Sequence, residues 1–354
     1  MKHIVLTGGG TAGHVTPNIA LIPQLEKEGY KITYIGSHTG IEKELITALN
    51  IPYYSISSGK LRRYVNIKNF TDAFRVVKGM GDALLLLRKL KPDIVFSKGG
   101  FVSVPVVIAA AMLRIPVIIH ESDITPGLAN KFSVPFASAV CASFPEALEH
   151  IPKEKAHLTG SPIRPILFEG DKKKGLDFCM FDDKKPVLLV MGGSLGSVKI
   201  NTALRNNIDK LLEDFQIVHL CGKGNLDMSL SSKKGYRQFE YLSFELPDIF
   251  AAADIIVSRA GANSIFEFLA LKKPTLLIPL PLSASRGDQI LNAASFEKQG
   301  FSKVLAEENI TDKTFISAVS SLYTDREKYI SAMKKEASLD SVKVITDLIR
   351  SYIH

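Results

Sequence analysis

Residues 3–14 have the sequence His3-Ile-Val-Leu-Thr-Gly-Gly-Gly-Thr-Ala-Gly-His14, and residues 186–197 have the sequence Pro186-Val-Leu-Leu-Val-Met-Gly-Gly-Ser-Leu-Gly-Ser197. Each stretch is an apolar run followed by glycines and then by residues that can begin a helix. Glycines let backbone N–H groups approach an anion at the positive end of a helix, an order typical of phosphate-binding α/β domains. The two copies predict two such domains, and only the first copy ends its loop in a histidine.

Short β-branched runs alternate with helical patterns throughout the chain. Such alternation indicates parallel sheets covered on both faces, so we predict an α/β protein with two doubly wound, Rossmann-like domains. The predicted helices of the first half include Pro17–Glu28, Ile41–Leu49 and Ile67–Leu90. The predicted strands are Ile4–Thr7, Lys31–Ile35, Tyr53–Ile56, Asp93–Ser97, Pro116–His120 and Ala139–Ala142, then Val187–Met191, Gln216–Leu220, Asp254–Ser258, Thr275–Pro279 and Lys303–Ala306.

The composition, with 46% hydrophobic and 23% charged residues, is that of an ordinary globular protein. The three cysteines, Cys141, Cys179 and Cys221, form no CxxC pair, so we expect a reducing compartment and no structural metal. The longest apolar stretch, Val104–Leu113, is about half of what spans a bilayer. The first predicted strand follows the N-terminus directly, so we expect no signal peptide and no membrane span.

Positive charge is concentrated in the first half of the chain. The net charge is +8, and residues 1–165 hold 19 Lys and Arg against 12 Asp and Glu. A basic domain favours an anionic partner such as nucleic acid, a phosphorylated substrate or an acidic membrane surface. A generic solvated surface explains the charge equally well.

Two enzyme classes share the glycine patterns but lack their further residues. Gly8–Gly13 satisfies GxGxxG, yet Tyr34–His38 contains no acid to bind the ribose of a dinucleotide. Gly192–Gly196 satisfies GxSxG, but only His219, within a predicted strand, and His354, the last residue, follow it. These patterns argue against a dehydrogenase and a hydrolase, and a tight turn without a ligand remains open for the first loop.

Three further stretches carry candidate binding residues. Ser258–Glu267 places small residues at a helix entry, where the N–H groups of Gly261, Ala262, Asn263 and Ser264 favour an anion, with Glu267 one turn on. Arg286–Asn292 offers amide side chains that both donate and accept. Residues 61–89 interleave apolar and basic side chains, a pattern of membrane surfaces and also of core-facing amphipathic helices.

Together these stretches resemble the MurG family of UDP-N-acetylglucosamine transferases, which glycosylate the lipid-linked muramyl-pentapeptide precursor of peptidoglycan. The resemblance covers almost the whole chain. It is carried by seven motifs in order: Thr7-Gly-Gly-Gly-Thr-Ala-Gly-His14, Ser97-Lys-Gly-Gly-Phe-Val-Ser103, His120-Glu-Ser-Asp-Ile-Thr-Pro-Gly127, Gly160-Ser-Pro-Ile-Arg164, Gly192-Gly-Ser-Leu-Gly196, Ser258-Arg-Ala-Gly261 and Asp288-Gln289.

The resemblance implies a glycosyltransferase B fold, with two Rossmann-like domains facing a central cleft. Residues 1–163 would take the lipid acceptor, residues 164–338 would bind UDP-GlcNAc, and residues 339–354 would form a helix packing back on the first domain. By position, Arg164 and Ser194 fall where the family contacts the diphosphate. Glu267 falls at the ribose, Gln289 at the donor sugar and Leu242 where backbone contacts the uracil.

The first loop and one residue after it also acquire roles by resemblance. Thr11, Ala12 and Gly13 match the family's loop near the donor sugar and acceptor, and His14 matches its proposed general base. Ala12 stands where a glycine is common. Asp123 stands where the family carries an asparagine, and an aspartate carboxylate accepts hydrogen bonds but cannot donate an N–H.

The implied reaction is inverting transfer, in which the acceptor's C4 hydroxyl attacks the anomeric carbon of UDP-α-GlcNAc. His14 would remove the proton, and the amides around Gly193-Ser194, the helix entry at Gly261 and Arg164 would stabilise the departing diphosphate. We expect no metal and no cofactor, because the acidic pair Asp182-Asp183 lies in a lysine-rich turn rather than at a strand end.

The implied partners are UDP-GlcNAc, the lipid-linked acceptor and an anionic membrane surface, without nucleic acid. The protein is then expected at the cytoplasmic face of the cell membrane as a peripheral protein. Two alternatives remain: a transferase of the same fold using another lipid acceptor, and a non-catalytic sugar-nucleotide sensor. Retention of His14, Arg164, Glu267 and Gln289 argues against the sensor.

Overall fold

The computed structural model describes residues 1–59, 68–193, 196–336 and 340–353. The chain divides into two compact units, Met1–Arg164 with Leu339–His354, and Pro165–Ser338. Arg164 therefore ends the first unit, whereas the expected boundary placed it at the start of the second.

The first unit contains a seven-stranded sheet of parallel strands. In its spatial order, β3-β2-β1-β4-β5-β6-β7, the chain adds strands to one side of β1 and then, from β4 onward, to its other side. The first strand, HIVLT, is buried along its whole length, as expected for a central strand covered on both faces. The strands are β1 His3–Thr7, β2 Lys31–Ser37, β3 Tyr53–Ile56, β4 Ile94–Ser97, β5 Val117–Glu121, β6 Ala139–Ala142 and β7 Ala156–Leu158.

Helices cover this sheet and bury their apolar sides against it. On one face Leu21 and Leu25 of the first helix pack with Ile4 and Leu6 of β1. Pro17 lies in the first turn of that helix, where its missing N–H costs no hydrogen bond. The helices are α1 Thr16–Lys27, α2 Ile41–Thr47, α3 Lys68–Leu90, α4 Ser103–Met112 and α5 Leu128–Ser133.

The second unit repeats the plan with six parallel strands in the order β10-β9-β8-β11-β12-β13. Its strands are β8 Val187–Met191, β9 Gln216–Leu220, β10 Tyr236–Phe239, β11 Ile255–Ser258, β12 Thr275–Leu277 and β13 Ser302–Val304. Its helices are α6 Lys172–Cys179, α7 Val198–Asn206, α8 Ile208–Asp214, α9 Leu246–Ala252, α10 Ala262–Ala270, α11 Asp288–Lys298, α12 Asp312–Thr324 and α13 Arg326–Lys335. The prediction of two doubly wound parallel-sheet domains is confirmed.

The last helix, α14 Ser341–Ser351, belongs to the first unit. Ile345 and Ile349 are buried in the core of that unit, and Arg350 forms a 2.9 Å ion pair with Glu28 at the end of α1. The sequence of Arg326–Ile353 is helical in character, and the structure divides this segment into α13 and α14. Asp340 explains the second start, because its side chain accepts the Lys343 backbone N–H as an N-cap.

None of the helices within the described ranges is both long and apolar enough to cross a bilayer.

Candidate functional site

The strand order places both glycine loops at the points where open α/β sheets bind ligands. In each sheet the order reverses beside the first strand of the unit, between β1 and β4 and between β8 and β11. Ligands of doubly wound sheets bind outside the carboxyl ends of the strands at such a reversal. The loops after these four strands are therefore the candidate site of each unit.

In the first unit the loops after β1 and β4 pack backbone against backbone. The Gly9 N–H donates to the Gly99 carbonyl at 3.3 Å. Gly99 and Gly100 have φ of +95° and +82°, and a Cβ on Gly100 would overlap the Gly9 carbonyl. Glycine is required at Gly100 for both reasons, since L side chains rarely adopt this backbone conformation. The two loops consequently form one rigid surface.

His14 lies at the end of a single 3₁₀ turn, Ala12–His14, between the first loop and α1. Its Nδ1 atom lies 3.0 Å from the Gly9 carbonyl oxygen and 3.2 Å from the Thr11 hydroxyl. A carbonyl oxygen can only accept, so Nδ1 carries the proton in the neutral ring and Nε2 carries the lone pair. The half-buried ring is thus held in the tautomer that a base acting through Nε2 needs.

A buried carboxylate, Glu42 on α2, supports the first loop from behind. Its Oε2 atom accepts the Gly10 N–H at 3.1 Å, and Oε1 accepts the N–H and hydroxyl of Ser37 at 3.1 and 2.5 Å. The side chain is 0% exposed. No sequence pattern pointed to Glu42, because its partners are reached only when α2 folds against β1 and β2.

A second set of buried charges lies at the ends of β4 and β5. Lys98 is 2% exposed, donates to the Ser122 hydroxyl, and faces Glu121 and Asp123. Burial lowers the pKa of Lys98 to about 8, and the two carboxylates oppose that shift. Glu121 accepts the backbone N–H groups of Asp123 and Gly127 at 3.0 and 2.9 Å. The predicted residue Asp123 is therefore held in a loop whose backbone is tied to Glu121.

In the second unit the loop after β8 turns sharply back onto α7. Gly193 and Gly196 have φ of +87° and +77°, and the Gly196 N–H donates to the Gly193 carbonyl at 3.0 Å. Ser197 then caps α7 by accepting the Ile200 N–H. Ser194, predicted to contact the diphosphate, lies outside the described residues. Among the described residues, a Cβ on Gly193 would meet no atom within 4 Å, so Gly193 faces open space there.

The side chain of Arg259, which follows β11, contacts residues in the segments after three other strands. Its guanidinium donates to the Ser197 hydroxyl at 2.7 Å and to the Ile278 and Pro279 carbonyls at 3.1 and 3.3 Å. It also forms a 2.5 Å ion pair with Glu307. Arg259 lies within the motif Ser258–Gly261, but the sequence offers no reason to assign it a role, because its partners are distant in the chain.

Beside Arg259, Gly261 is the N-cap residue of α10, and a Cβ there would meet no atom within 4 Å among the residues that the structure describes. Gln289 at the start of α11 approaches this entry. Its Oε1 atom accepts the Ala260 and Leu280 N–H groups at 3.3 and 3.1 Å, which ties the loops after β11 and β12 together. If Gln289 contacts the donor sugar, its Nε2 group is the part that can donate to a sugar oxygen.

The structure thus groups the predicted residues by unit. Leu242 is buried in the loop after β10. No group of three or more His, Cys, Asp or Glu side chains is placed to hold a metal ion within the described residues. Thr11, Ala12, Gly13, His14, Asp123 and Arg164 lie in the first unit, and Leu242, Gly261, Ala262, Asn263, Ser264, Glu267 and Gln289 lie in the second.

Known proteins resemble the chain over both units. Residues 4–142 match the glycosyltransferase family 28 N-terminal domain, and residues 187–349 match the glycosyltransferase family 28 C-terminal domain. A solved structure of Acinetobacter baumannii MurG has a TM-score of 0.78 and 25% identity, covering 99% of this chain and 100% of its own. UDP-GlcNAc 2-epimerase from Neisseria meningitidis, at 15% identity and a TM-score of 0.68, shares the fold.

Two relatives match the chain from end to end. A Clostridium botulinum protein is 58% identical over 352 residues, covering 99% of each chain. A Lachnoclostridium phytofermentans protein is 60% identical over 349 residues, covering 99% of this chain and 98% of its own. Both are named UDP-N-acetylglucosamine--N-acetylmuramyl-(pentapeptide) pyrophosphoryl-undecaprenol N-acetylglucosamine transferase.

Proposed function

The chain belongs to glycosyltransferase family 28, and from this premise we propose that it transfers N-acetylglucosamine from UDP-GlcNAc to MurNAc-pentapeptide-pyrophosphoryl-undecaprenol. The products are UDP and the lipid-linked disaccharide used for peptidoglycan synthesis. The observation that carries the proposal is the end-to-end match to relatives of that name, at 58 and 60% identity. Both glycine loops fall inside the matched residues.

We assign proton removal to His14 in the first unit. The acceptor's C4 hydroxyl must lose its proton as the oxygen attacks the anomeric carbon, which inverts the configuration there. The Gly9 carbonyl fixes the Nδ1 proton of His14, so Nε2 has the lone pair that accepts the hydroxyl proton. The Thr11 hydroxyl also contacts this ring, and we assign Thr11, Ala12 and Gly13 to the surface near the donor sugar and the acceptor.

We assign the donor to the second unit. Negative charge grows on the diphosphate as its bond to the sugar breaks, and preorganised N–H donors stabilise that charge. We assign this role to the loop around Gly193 and Ser194, to the N-terminus of α10 after Gly261 and, from the end of the first unit, to the positive charge of Arg164. Glu267 is assigned to the ribose and Gln289 to the sugar.

Replacing His14 tests the assignment of the base. We expect His14→Ala to lower kcat by about 10² to 10⁴ while leaving KM for UDP-GlcNAc nearly unchanged, because a general base acts mainly in the transition state. UDP release with the lipid-linked acceptor measures both constants. His38→Ala is the matched control, because His38 is exposed in the same unit. Near-normal turnover of His14→Ala would remove His14 from the role.

We further propose that the first unit contacts an anionic membrane surface, since the acceptor is anchored in lipid. The last four turns of α3 expose Val77 and Leu85, at 67 and 69%, beside the exposed residues Lys78, Arg88 and Lys89. Apolar side chains can enter the acyl boundary, while basic side chains meet headgroups and contribute about 1 kcal/mol per residue. Arg62 and Arg63, in the predicted stretch 61–89, and the neighbouring Lys60 lie outside the described residues.

Vesicle binding tests this surface. Leu85→Asp combined with Lys78→Glu is expected to weaken binding to vesicles containing anionic lipid by at least about tenfold, since an apolar contact is lost and a charge reversed. KM for UDP-GlcNAc should stay unchanged. Met228→Asp, at a 75% exposed position of the second unit, is the control. Equal vesicle binding by the α3 variant and the control places the membrane surface elsewhere.

The alternative acceptor remains testable with the unaltered protein. UDP release with lipid-linked muramyl-pentapeptide is expected to exceed release with diacylglycerol by orders of magnitude. The reverse preference would identify a glycolipid synthase of the same fold.

A further inference from the structure

Glu42 and His14 contact opposite sides of one peptide group. The Gly9 carbonyl oxygen accepts the His14 Nδ1 proton at 3.0 Å, and the Gly10 N–H donates to Glu42 Oε2 at 3.1 Å. These two atoms belong to the peptide bond that joins Gly9 to Gly10. In a trans peptide the C=O and N–H point in opposite directions, so the histidine and the carboxylate lie at the two ends of one dipole.

The surroundings of Glu42 are built around its carboxylate. A Cβ added to Gly9 or Gly40 would overlap the carboxylate, and a Cβ on Gly36 would lie 2.9 Å from Glu42 Cγ. Ser37 supplies two donors to the other carboxylate oxygen. A buried carboxylate with three hydrogen-bond donors is stabilised in its charged form. Glu42 is therefore suited to hold a negative charge behind the loop.

We propose that Glu42 is a positioning residue for the transferase reaction, acting through the Gly9–Gly10 peptide group to fix the His14 tautomer and strengthen Nε2 as a base. The negative charge polarises the peptide, and its carbonyl oxygen then holds the Nδ1 proton more strongly. Hydrogen bonds in such chains strengthen one another. The arrangement resembles a carboxylate–histidine pair with one peptide group inserted between its members, and it rests on the proposed role of His14.

Tyr34, Tyr53 and Lys98 are further titratable groups near this chain of contacts. Tyr34 on β2 and Tyr53 on β3 face Glu42, and burial raises the pKa of both phenols, so both stay neutral. Lys98 lies on the β4 side, with its Cβ 3.2 Å from a Cβ built on Gly8. Its ammonium group is directed toward Glu121 and Asp123 and titrates with a pKa of about 8 because of burial.

The experiment measures the pKa of His14 directly, by NMR titration of the histidine Cε1 proton, with the signal identified by its loss in His14→Ala. Glu42→Gln keeps the shape but removes the charge, and is expected to lower that pKa by about half a unit or more. The acidic limb of kcat should move to lower pH, and its plateau should fall about three- to tenfold. Glu44→Gln, at an exposed position on the same helix, should change neither quantity.

The outcomes separate this inference from the proposed function. If the pKa of His14 in Glu42→Gln equals that in the unaltered protein, the inference is overturned. This holds even if kcat falls, because a merely structural role would lower kcat alone. Normal turnover in His14→Ala overturns the proposed base, while the NMR titration still decides the effect of Glu42 on His14.

A second variant covers the case in which Glu42→Gln does not fold. Ser37→Ala removes the hydroxyl donor from Oε1 and leaves the carboxylate with its backbone partners. The charge then acts more strongly on Gly10, so the pKa of His14 should rise. An unchanged or lower pKa overturns the inference.

Discussion

The charged side chains that shape the candidate sites act mainly on backbone groups. Glu42 accepts from Gly10, Glu121 from Asp123 and Gly127, and Arg259 donates to two carbonyls. Buried charges require such partners, because their desolvation is costly without them. The result is a set of loops whose conformations are fixed before any ligand arrives, as catalysis by preorganised donors requires.

Motif residues could be predicted from the sequence, whereas their supporting residues could not. His14 and Gln289 stand next to glycine-rich or amide-rich stretches, so local pattern identified them as candidates. Glu42 is separated from Gly10 by 32 residues, and Arg259 from Ser197 by 62. Only the folded sheet brings these pairs together, and no local pattern records such contacts.

Arg259 provides a test at this scale. Arg259→Lys keeps the charge but cannot reproduce contacts to Ser197, two carbonyls and Glu307 at once, because an ammonium group lacks the guanidinium fork. We expect a loss of about 1 to 3 kcal/mol in the unfolding free energy of the second unit, as for buried hydrogen bonds left unmade. KM for UDP-GlcNAc should also rise, because the Gly193–Ser197 turn loosens.

Urea unfolding and donor titration measure these two effects. Arg326→Lys is the control, because Arg326 donates to a single carbonyl and stacks on Tyr323 at the surface of the same unit. Equal stability of the two variants would show that the contacts of Arg259 add nothing to the fold.

At the level of elements, the central strands were predicted, and of the four edge strands β3 and β13 were predicted whereas β7 and β10 were missed. β8 and β9 have the predicted bounds, and both are buried over most or all of their length. β7 and β10 stand at the outer ends of the two sheets and were not predicted. Their sequences, AHL and YRQF, lack the continuous apolar run that burial on both faces requires.

A buried histidine joins three elements of the second unit. His219 on β9 lies 2.8 Å from the Tyr236 hydroxyl on β10 and 3.0 Å from Asn201 Oδ1 on α7. The asparagine oxygen can only accept, so Nε2 donates and Nδ1 accepts from the tyrosine. Burial, together with the charge of Arg205, lowers the pKa of His219 to about 3. The network therefore requires the neutral ring.

This network predicts an acid sensitivity of the second unit. The unfolded chain binds a proton at His219 near pH 6.5, whereas the folded chain resists it down to about pH 3. The contribution of the neutral His219 ring to the unfolding free energy is thus fully present above pH 6.5. It falls by about 1.4 kcal/mol for each unit by which the pH drops below that value. The glutamine of His219→Gln keeps one donor and one acceptor but does not titrate. The difference in unfolding free energy between this variant and the unaltered protein should therefore shrink as the pH falls.

Hydrogen exchange of β9 and β10 peptides at pH 7, 6, 5 and 4 measures this convergence, after correction for the intrinsic exchange rate. His38→Gln, at an exposed position of the first unit, is the control. A constant difference between His219→Gln and the unaltered protein over this range would show that the ring is not held neutral.

For the whole molecule, the notable feature is that the first unit is completed by the end of the chain. β1 through β7 and α14 form one compact body, although the entire second unit separates them in sequence. Ile345 and Ile349 add buried side chains to a core that includes Leu21 and Leu25 of α1. The two units therefore differ in one testable respect, since only the first depends on α14.

Shortening a buried side chain of α14 is expected to destabilise the first unit selectively. Ile349 is 0% exposed, and Ile349→Ala should cost about 2 to 5 kcal/mol through lost burial and the cavity that remains. Hydrogen exchange should accelerate in peptides from β1, β2 and α1 but not in those from β8 and β11. Lys343→Ala, at an exposed position of the same helix, should leave both sets unchanged. Equal acceleration in the two units would mean that they unfold as one cooperative body, whereas no acceleration in either would mean that α14 adds no stability to the first.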